Sequence, residues 1–346
     1  MANLYKKKNT FCWLHIEVKL SMMKKALGLV SGGLDSLIAI SLIKEQNFDV
    51  IGVFILTPFI SKFGEETIEI LKKQSSELNF KLCVVPIDID YIEIIKNPVF
   101  GYGKNLNPCI DCHIYMLKKA KEIMEKENAS FVFTGEILGQ RGKSQTLQAL
   151  KIIEEKSSLK GKLLRPLTAL NLPETEIEKN GIVDRNKLLG IKGKERKMQL
   201  TLAEIKNLKF FSSPAGGCLL TDSQFCKRLS DIFKYNVDAE INDYYLLQVG
   251  HHFRISPETK LVISRNRKES GKILELFSNK DIIILSSDVN KDIIGIIIGG
   301  FSEICLKIFA SYISKSPVSI IIEEKGKKEE KIVQPEEKFL YKAYLI

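Results

Sequence analysis

The sequence predicts an α/β fold: a doubly wound parallel sheet, followed by a helical basic segment and a smaller C-terminal α+β domain. Three observations support this prediction. Strand and helix patterns alternate from residue 24 to about residue 170, which is typical of a parallel sheet with helices on both faces. Residues 173–238 are helical and more basic. From residue 239 most patterns are strand-like, with one helix at 268–277, which indicates a separate domain.

Each element follows from its local pattern. Apolar β-branched runs predict strands, and apolar positions at helical spacing predict helices. Asn107 and Pro108 mark the start of one long helix, because Asn is a common N-cap and Pro suits the first helical position. In the α/β domain, strands are predicted at 24–30, 49–56, 81–88, 131–136 and 163–167, and helices at 35–46, 65–79, 108–128 and 144–156. In the C-terminal domain, strands are predicted at 244–256, 259–266, 281–288, 293–300, 318–324 and 337–346, and a solvated hairpin tip at 323–331.

Composition narrows the class of protein. The chain has 346 residues, is 45% hydrophobic and 27% charged, and carries a formal net charge of +10, which suits a globular protein with an anionic partner such as nucleic acid. A general lysine bias explains the charge nearly as well. No run approaches the ~18 consecutive apolar residues of a membrane span, so we expect no membrane partner. Seven scattered cysteines without an export signal favour a reducing cytoplasm over a disulfide framework.

The expected domain boundaries follow from these patterns. Residues 1–23 are set aside as a mis-called or disordered N-terminal extension, because two methionines directly precede the first strand. The α/β domain spans 24–172 and is expected to bind the nucleotide described below. The helical basic segment spans 173–238, and the α+β domain spans 239–346.

The loop SGGLDS lies between the first strand and the first helix, at the sheet edge where doubly wound folds bind ligands. Its glycines let the backbone approach a ligand, and the helix start offers N–H groups to a phosphate. A carboxylate is unusual in an anion site unless Mg²⁺ accompanies the phosphates, and Asp35 would then bind that ion. The candidate ligands of the nucleotide are Ser31, Gly32, Gly33, Asp35 and Ser36.

This loop resembles the PP-loop of the ATP pyrophosphatase superfamily, so the α/β domain is expected to have the fold of the adenine nucleotide α-hydrolases. The resemblance implies that ATP is split between its α- and β-phosphates. A carbonyl oxygen is adenylated, pyrophosphate leaves, and a nucleophile then displaces AMP. Magnesium and the loop would bind the departing pyrophosphate.

A second motif, FTGEILGQRGKSQTL at 133–147, also follows a strand and precedes a helix. It resembles the corresponding stretch of the tRNA 4-thiouridine synthases, and LLRPL at 163–167 resembles the strand that follows it there. The resemblance implies that Thr134, Gly135 and Gln140 line the nucleotide site. Arg141 replaces an expected small residue and has no assigned role.

A third motif, NPCIDCH at 107–113, places Cys109 and Cys112 three residues apart in the first turn of a helix, where the helix dipole favours thiolates. It resembles a segment of the tRNA 2-thiouridylases, in which Cys112 would hold the place of the thiolation nucleophile. Those enzymes use a second cysteine about a hundred residues later, and Cys218 in SPAGGCLL corresponds to it.

Three converging cysteines allow two kinds of sulfur chemistry. Cys112 could carry a persulfide and be resolved by a disulfide with Cys218. Alternatively, Cys109, Cys112 and Cys218 could bind three irons of a 4Fe–4S cluster, whose fourth iron would bind sulfide. We favour the cluster because the persulfide route needs only two cysteines. A structural zinc site that includes His113 is a third alternative.

Two basic segments are candidate RNA contacts. The first comprises Lys192, Lys194, Arg196 and Lys197, for which a solvated helix face is the competing interpretation. The second comprises Arg254, Arg265 and Arg267, in a stretch that faintly resembles the NFACT-type RNA-binding domain.

Together these features predict a cytoplasmic, ATP-dependent tRNA uridine sulfurtransferase that uses Mg²⁺ and takes sulfur from free sulfide or a persulfide carrier. Two alternatives stay open. One is an amide- or nitrile-forming PP-loop ligase that acts on a small molecule and has its cysteines on zinc. The other is an RNA-binding module with a relic loop. The modified uridine, the modified carbon and the oligomeric state do not follow from the sequence.

Overall fold

The chain forms two compact units, which divide between Gly217 and Cys218. The structure, a computed structural model, describes residues 11–12, 24–212, 217–278 and 282–346. The helical segment expected at 173–238 therefore divides at this boundary, with its first part in the α/β unit. Apart from a two-residue strand, the extension expected at 1–23 lies outside the described residues.

The first unit alternates strands and helices, as predicted. Its strands are β1 (Phe11–Cys12), β2 (Lys25–Leu29), β3 (Asp49–Leu56), β4 (Lys81–Pro86), β5 (Val132–Thr134) and β6 (Leu163–Leu164). Its helices are α1 (Leu34–Lys44), α2 (Glu65–Leu78), α3 (Asp90–Lys96), α4 (Cys109–Lys126), α5 (Leu147–Lys156), α6 (Glu176–Lys179) and α7 (Lys197–Ile205).

The sheet of the first unit has the order β1-β4-β3-β2-β5-β6. The five strands from β4 to β6 are parallel, and β1 pairs antiparallel with β4 at one edge. The chain moves from β2 outward through β3 and β4, and then returns to place β5 on the other side of β2. Such a switch point opens a crevice at the carboxyl ends of the strands. The loops that follow β2 and β5 lie at this crevice, and the α/β prediction is confirmed.

The segment after β6 belongs to the same core. Ile177, Val183, Ile191 and Ala203 are buried in one apolar cluster with the side chains of α1 and the central strands. Burial of this apolar surface stabilises the unit and anchors α6 and α7 against the sheet. The basic residues near 192–197 are therefore held at a fixed place on the α/β unit.

One helix start differs from the prediction. Helix α4 begins at Cys109, and Pro108 occupies the N-cap position without a side-chain cap. The side chain of Asn107, which we expected to cap the helix, accepts a hydrogen bond from the Cys109 thiol at 3.1 Å instead. The prediction of Asn107 as N-cap is therefore wrong by one residue, because Pro108 itself is the N-cap and Asn107 lies one position before it.

The second unit is an antiparallel sheet with helices, as the α+β prediction requires. Its strands are β7 (His251–Arg254), β8 (Lys260–Ile263), β9 (Ile283–Ser286), β10 (Gly295–Ile298), β11 (Val318–Glu324) and β12 (Lys327–Val333), in the order β12-β11-β9-β10-β8-β7. Its helices are α8 (Ser223–Tyr235), α9 (Ile241–Leu246), α10 (Arg267–Phe277) and α11 (Glu303–Ile313).

The sequence patterns predicted some elements of the second unit correctly and others wrongly. The expected hairpin tip is confirmed, since Lys325 and Gly326 both have positive φ between β11 and β12. Residues 337–346 were expected to form a strand, but Lys338–Tyr344 is a 3₁₀ helix. Helix α11 was not predicted, because a short apolar run fits a buried helix as well as a strand.

The stability of the second unit is expected to fall below about pH 6.5 because of His252. This side chain is fully buried, and its Nε2–H donates to the Val249 carbonyl at 2.8 Å. Burial, with Lys260 and Arg228 nearby, lowers the pKa of His252 well below its usual value. As the pH falls, the unfolded chain takes up a proton that the folded unit does not. The loss approaches the one-proton limit of about 1.4 kcal/mol per pH unit.

Hydrogen exchange of β7 and β8 in the whole chain between pH 7.5 and 5 would measure this loss. The variant His252→Gln retains an amide donor but does not titrate, so its stability is expected to fall less over the same range. Equal slopes for the two proteins would contradict the assignment.

Candidate nucleotide and cysteine site

The loop between β2 and α1 is shaped to receive an anion. Gly32 has a φ of +74°, in the left-handed region that favours glycine. Gly33 is the N-cap of α1, and none of the side chains that the structure describes caps the first N–H groups of this helix. The Ser36 hydroxyl donates to the Gly33 carbonyl at 2.9 Å and lies 3.5 Å from the Ser31 hydroxyl. The N–H groups and two hydroxyls together suit a phosphate.

Gly135 brings the second motif against this loop. A Cβ atom at Gly135 would lie only 2.6 Å from the backbone carbon of Asp35 and 2.6 Å from the backbone nitrogen of Ser36. Only glycine therefore permits the chain after β5 to pass so close to the first turn of α1. The structure thus brings together the two loops that the sequence assigned to the nucleotide.

Several polar atoms of these loops are buried without a hydrogen-bond partner among the described residues. They are Asp35 Oδ1, Ser144 Oγ and Gln145 Oε1. The other carboxylate oxygen of Asp35, Oδ2, accepts a hydrogen bond from Gln140 Nε2 at 3.0 Å. Burying an unpaired polar atom costs free energy unless a ligand or water satisfies it. The orphaned oxygens therefore mark the place where a polar ligand fits.

Glu136 connects the second motif to the cysteine-bearing helix. Its carboxylate contacts His113 Nδ1 at 2.8 Å, Arg165 Nε at 3.0 Å and the Thr134 hydroxyl at 3.0 Å. Burial alone would raise the pKa of Glu136, but the Arg165 charge and the His113 contact outweigh it and lower the pKa to about 2. Glu136 is thus charged at neutral pH and ties the start of α4 to the chain after β5.

The two cysteines of the third motif share the first turn of α4. Cys109 is half-buried, with its thiol directed to Asn107. The Cys112 sulfur lies 2.9 Å from the hydroxyl of Tyr91, a fully buried residue of α3. Through His113 and Glu136, this turn is joined to the loops of the nucleotide site.

Comparison with known proteins agrees with these motifs. Residues 21–191 match the family model of the thiamine biosynthesis protein ThiI. Residues 250–343 match the NFACT protein RNA binding domain. These matches confirm the resemblance to the tRNA 4-thiouridine synthases and the resemblance to the NFACT-type RNA-binding domain.

Curated relatives match part of the chain. A probable tRNA sulfurtransferase from Thermococcus kodakarensis is 30% identical over 171 residues, which cover 48% of this chain and 41% of the relative. The tRNA-specific 2-thiouridylase MnmA of Clostridium acetobutylicum is 33% identical over 135 residues, covering 33% of this chain and 36% of the relative. A solved 4-thiouridine synthetase in complex with RNA and ATP aligns with a TM-score of 0.34, at 20% identity, over 65% of this chain and 52% of that one. The chain spans about two fifths of the length of the curated relatives it matches.

Cys218 lies outside the ThiI-matched part and belongs to the second unit. Its carbonyl accepts hydrogen bonds from the N–H and the hydroxyl of Thr221, at 3.1 and 2.8 Å. Residues 213–216 of its motif lie outside the described residues. The expected meeting of Cys218 with Cys109 and Cys112 stays a prediction.

The predicted magnesium ion and the predicted 4Fe–4S cluster need different ligands. Mg²⁺ commonly uses one or two carboxylates together with substrate phosphates and water. The buried Asp35 Oδ1, which has no hydrogen-bond partner in the described part of the chain, fits that role. Across the described residues, no group of three or more His, Cys, Asp or Glu side chains is arranged to hold a metal. Cys109 and Cys112 offer two thiols on one turn, which fits part of a cluster site.

The basic segment after α6 borders the second motif. Lys192 pairs with Leu138 as a β-bridge, and the Gly193 N–H donates to the Leu138 carbonyl at 2.8 Å. Lys192, Lys194 and Lys197 are exposed, and Arg196 is half-buried. The predicted phosphate contacts of the first unit therefore lie beside the loop that follows β5.

The basic residues of the NFACT-matched part differ in their solvent exposure. The Arg254 side chain is only 15% exposed and bonds Asp231 through Nε and a terminal nitrogen, at 3.0 and 2.7 Å. The buried Lys260 bonds the same carboxylate at 3.0 Å. Arg254 and Lys260 therefore both fix the position of Asp231. Arg265 is exposed although it pairs with Glu269, and Arg267 is exposed at the start of α10. Solvent exposure therefore favours Arg265 and Arg267 over Arg254 as RNA contacts.

Sequence patterns did not identify three residues that support the site. They are Tyr91 beside the Cys112 sulfur, Arg165 beside Glu136, and Gln74, whose amide donates to the Gly32 carbonyl at 3.1 Å. Arg165 lies in the LLRPL pattern at 163–167, but that pattern indicates no role for it.

None of the described helices is long and apolar enough to cross a membrane.

Proposed function

We propose that the chain is a cytoplasmic, ATP-dependent sulfurtransferase that acts on a uridine of tRNA. The observation that carries this proposal is the junction at Gly135, where the loops after β2 and β5 meet. The cysteine-bearing turn of α4 is tied to that junction through Glu136. This arrangement supports a site in which ATP is activated close to the helix that bears the sulfur. The names of the relatives, tRNA sulfurtransferase and tRNA-specific 2-thiouridylase, support the same chemistry.

The first step activates the base. The uridine carbonyl oxygen attacks the α-phosphorus of ATP, the bond to the bridging oxygen of the β-phosphate breaks, and pyrophosphate leaves. Backbone N–H groups at Gly33 and the start of α1 bind the phosphates, with the Ser31 and Ser36 hydroxyls beside them. Asp35 Oδ1 would bind Mg²⁺, which when present neutralises charge on the departing pyrophosphate.

The second step replaces oxygen by sulfur. A sulfur nucleophile attacks the activated ring carbon and AMP leaves with the original oxygen. On the persulfide route, the outer sulfur on Cys112 makes this bond. The Cys218 thiolate then attacks the Cys112 sulfur, forms a disulfide and releases the thiolated base, and an external thiol reductant restores both cysteines. A cluster bound by Cys109, Cys112 and Cys218 would instead supply sulfide as the nucleophile.

An anaerobic assay tests the proposal. The whole chain, reconstituted with iron and sulfide, is incubated with ATP, Mg²⁺, sulfide and unmodified tRNA, and nucleosides are analysed by mass spectrometry. A parallel reaction supplies a persulfide donor instead of sulfide. We expect a thionucleoside, and its retention time and ultraviolet absorbance beside 2-thiouridine and 4-thiouridine standards identify the modified atom. Cys112→Ala should lower its yield by at least about 100-fold, because the sulfur-bearing thiol is lost.

Cys226 provides a matched control. It is buried on α8, where its thiol donates to the Leu220 carbonyl at 3.3 Å, so Cys226→Ala should retain thiolation. Release of AMP without a thionucleoside would favour a small-molecule ligase. No AMP with either sulfur source would leave only RNA binding, and would reject the proposed enzyme.

A further inference from the structure

Gln74 is a fully buried glutamine on α2, where it faces the pyrophosphate loop. Its Nε2 donates to the Gly32 carbonyl at 3.1 Å and to the Phe210 carbonyl at 2.7 Å. One primary amide nitrogen has two hydrogens, so it can satisfy both acceptors at once. The residue therefore joins α2 to two segments that are distant in sequence.

The Gly32 carbonyl is held from two sides. It accepts the bond from Gln74 and a second bond from the Ser212 N–H at 2.9 Å. A carbonyl oxygen has two lone pairs, so both are used. Gly33 and Ser212 also form a parallel β-bridge, which aligns the segment before residue 213 with the loop.

Fixing this carbonyl also fixes a donor. In a trans peptide the N–H points opposite to the preceding C=O, and the barrier to rotation is about 18–20 kcal/mol. The Gly32 carbonyl is held toward Gln74 and Ser212, so the Gly33 N–H is held on the opposite side, where it donates a long hydrogen bond to the Ser31 hydroxyl at 3.4 Å. Gly33 lies at the start of α1, where the phosphates of ATP are proposed to bind.

We infer that Gln74 is a positioning residue for the pyrophosphate end of ATP, acting by holding the Gly32 carbonyl so that the Gly33 N–H faces the phosphates. This inference rests on the proposed function, because it assumes that the loop binds the β- and γ-phosphates. Gln74 does not touch the nucleotide. It orients a peptide group that does.

The inference predicts a selective loss of affinity. Gln74→Met keeps the length of the side chain but removes both donated hydrogen bonds. Affinity for ATP·Mg²⁺ and for pyrophosphate·Mg²⁺ is expected to fall at least about tenfold, which is the change that 1.4 kcal/mol produces. Affinity for AMP should stay within about twofold, since AMP lacks the phosphates that this loop would bind. Calorimetric titration of the whole chain with each of these three probes measures the ratios.

Two further variants separate positioning from folding. Leu71→Ala opens a cavity in the same helix at a fully buried position but removes no hydrogen bond, so it should lower stability without changing the ATP-to-AMP ratio. Ser212→Pro removes the second donor to the Gly32 carbonyl at a half-buried position, and should weaken ATP·Mg²⁺ in the same direction as Gln74→Met.

The outcomes are distinct. Equal losses for ATP and AMP, or an unchanged ATP affinity in both Gln74→Met and Ser212→Pro, would overturn the positioning role. A wild-type chain that binds ATP·Mg²⁺ yet makes no thionucleoside rejects the sulfurtransferase while leaving the test of Gln74 valid. A wild-type chain that binds neither ATP·Mg²⁺ nor pyrophosphate·Mg²⁺ rejects both.

Discussion

Replacing Asp35 by asparagine is expected to slow pyrophosphate release by at least about 100-fold, with little change in stability. Asp35 is the carboxylate of the SGGLDS loop, and its buried Oδ1 has no partner among the described residues. Asparagine has nearly the same shape and can keep one oxygen in place, but it lacks the negative charge that we propose binds Mg²⁺. The substitution should therefore lower the rate of the reaction and leave the stability of the fold nearly unchanged.

The measurement is pyrophosphate release at several Mg²⁺ concentrations, in the presence of tRNA. If Asp35 binds the ion, Asp35→Asn should also need more Mg²⁺ to reach half of its own maximal rate. Gln140→Leu removes the hydrogen bond to Asp35 Oδ2 and should give a smaller loss in the same direction. Asp238→Asn, at an exposed position of the second unit, makes the same change of charge and should have no effect. Release within tenfold of wild type would show that Asp35 is not a magnesium ligand.

The parts of the site that the sequence predicted are those set by local order along the chain. The SGGLDS loop follows β2, and GEILGQ at 135–140 follows β5. Because carboxyl ends of parallel strands meet at one edge of a sheet, strand–loop–helix patterns sufficed to bring both loops together. The pairing of β2 with β5 was not required for that prediction, although it makes the loops direct neighbours.

The parts that the sequence did not predict depend on distant contacts. Gln74 bonds carbonyls that are 42 and 136 positions away. Its spacing from Leu71 and Leu78 places it on the apolar face of α2, but the sequence does not show which groups it bonds there. Tyr91 lies on α3, a helix of seven residues that is too short to show a periodic pattern. The role of Arg165 is visible only once β6 is placed beside β5, within reach of Glu136. Such residues need the fold before their function can be recognised.

Arg165→Met is expected to lower the free energy of unfolding of the first unit by about 3–5 kcal/mol, the usual loss when one partner of a buried ion pair is removed. Arg165 is 3% exposed and Glu136 7% exposed. The guanidinium bonds Glu136, Glu154 and the Leu150 carbonyl. Without it, a carboxylate that is charged at neutral pH would remain buried.

Hydrogen exchange of peptides from β5 and β6 in the whole chain measures this loss locally. The double variant Arg165→Met with Glu136→Gln removes the uncompensated charge and should recover part of the stability, giving a coupling energy between the two sites. Arg141→Met makes the same substitution at an exposed arginine of the second motif and should change stability by less than about 0.5 kcal/mol. If the losses of stability in Arg165→Met and Glu136→Gln simply added up in the double variant, Arg165 and Glu136 would not act as a pair. The start of α4 would then be positioned by packing around Tyr91 and Tyr115 rather than by the bond from Glu136 to His113.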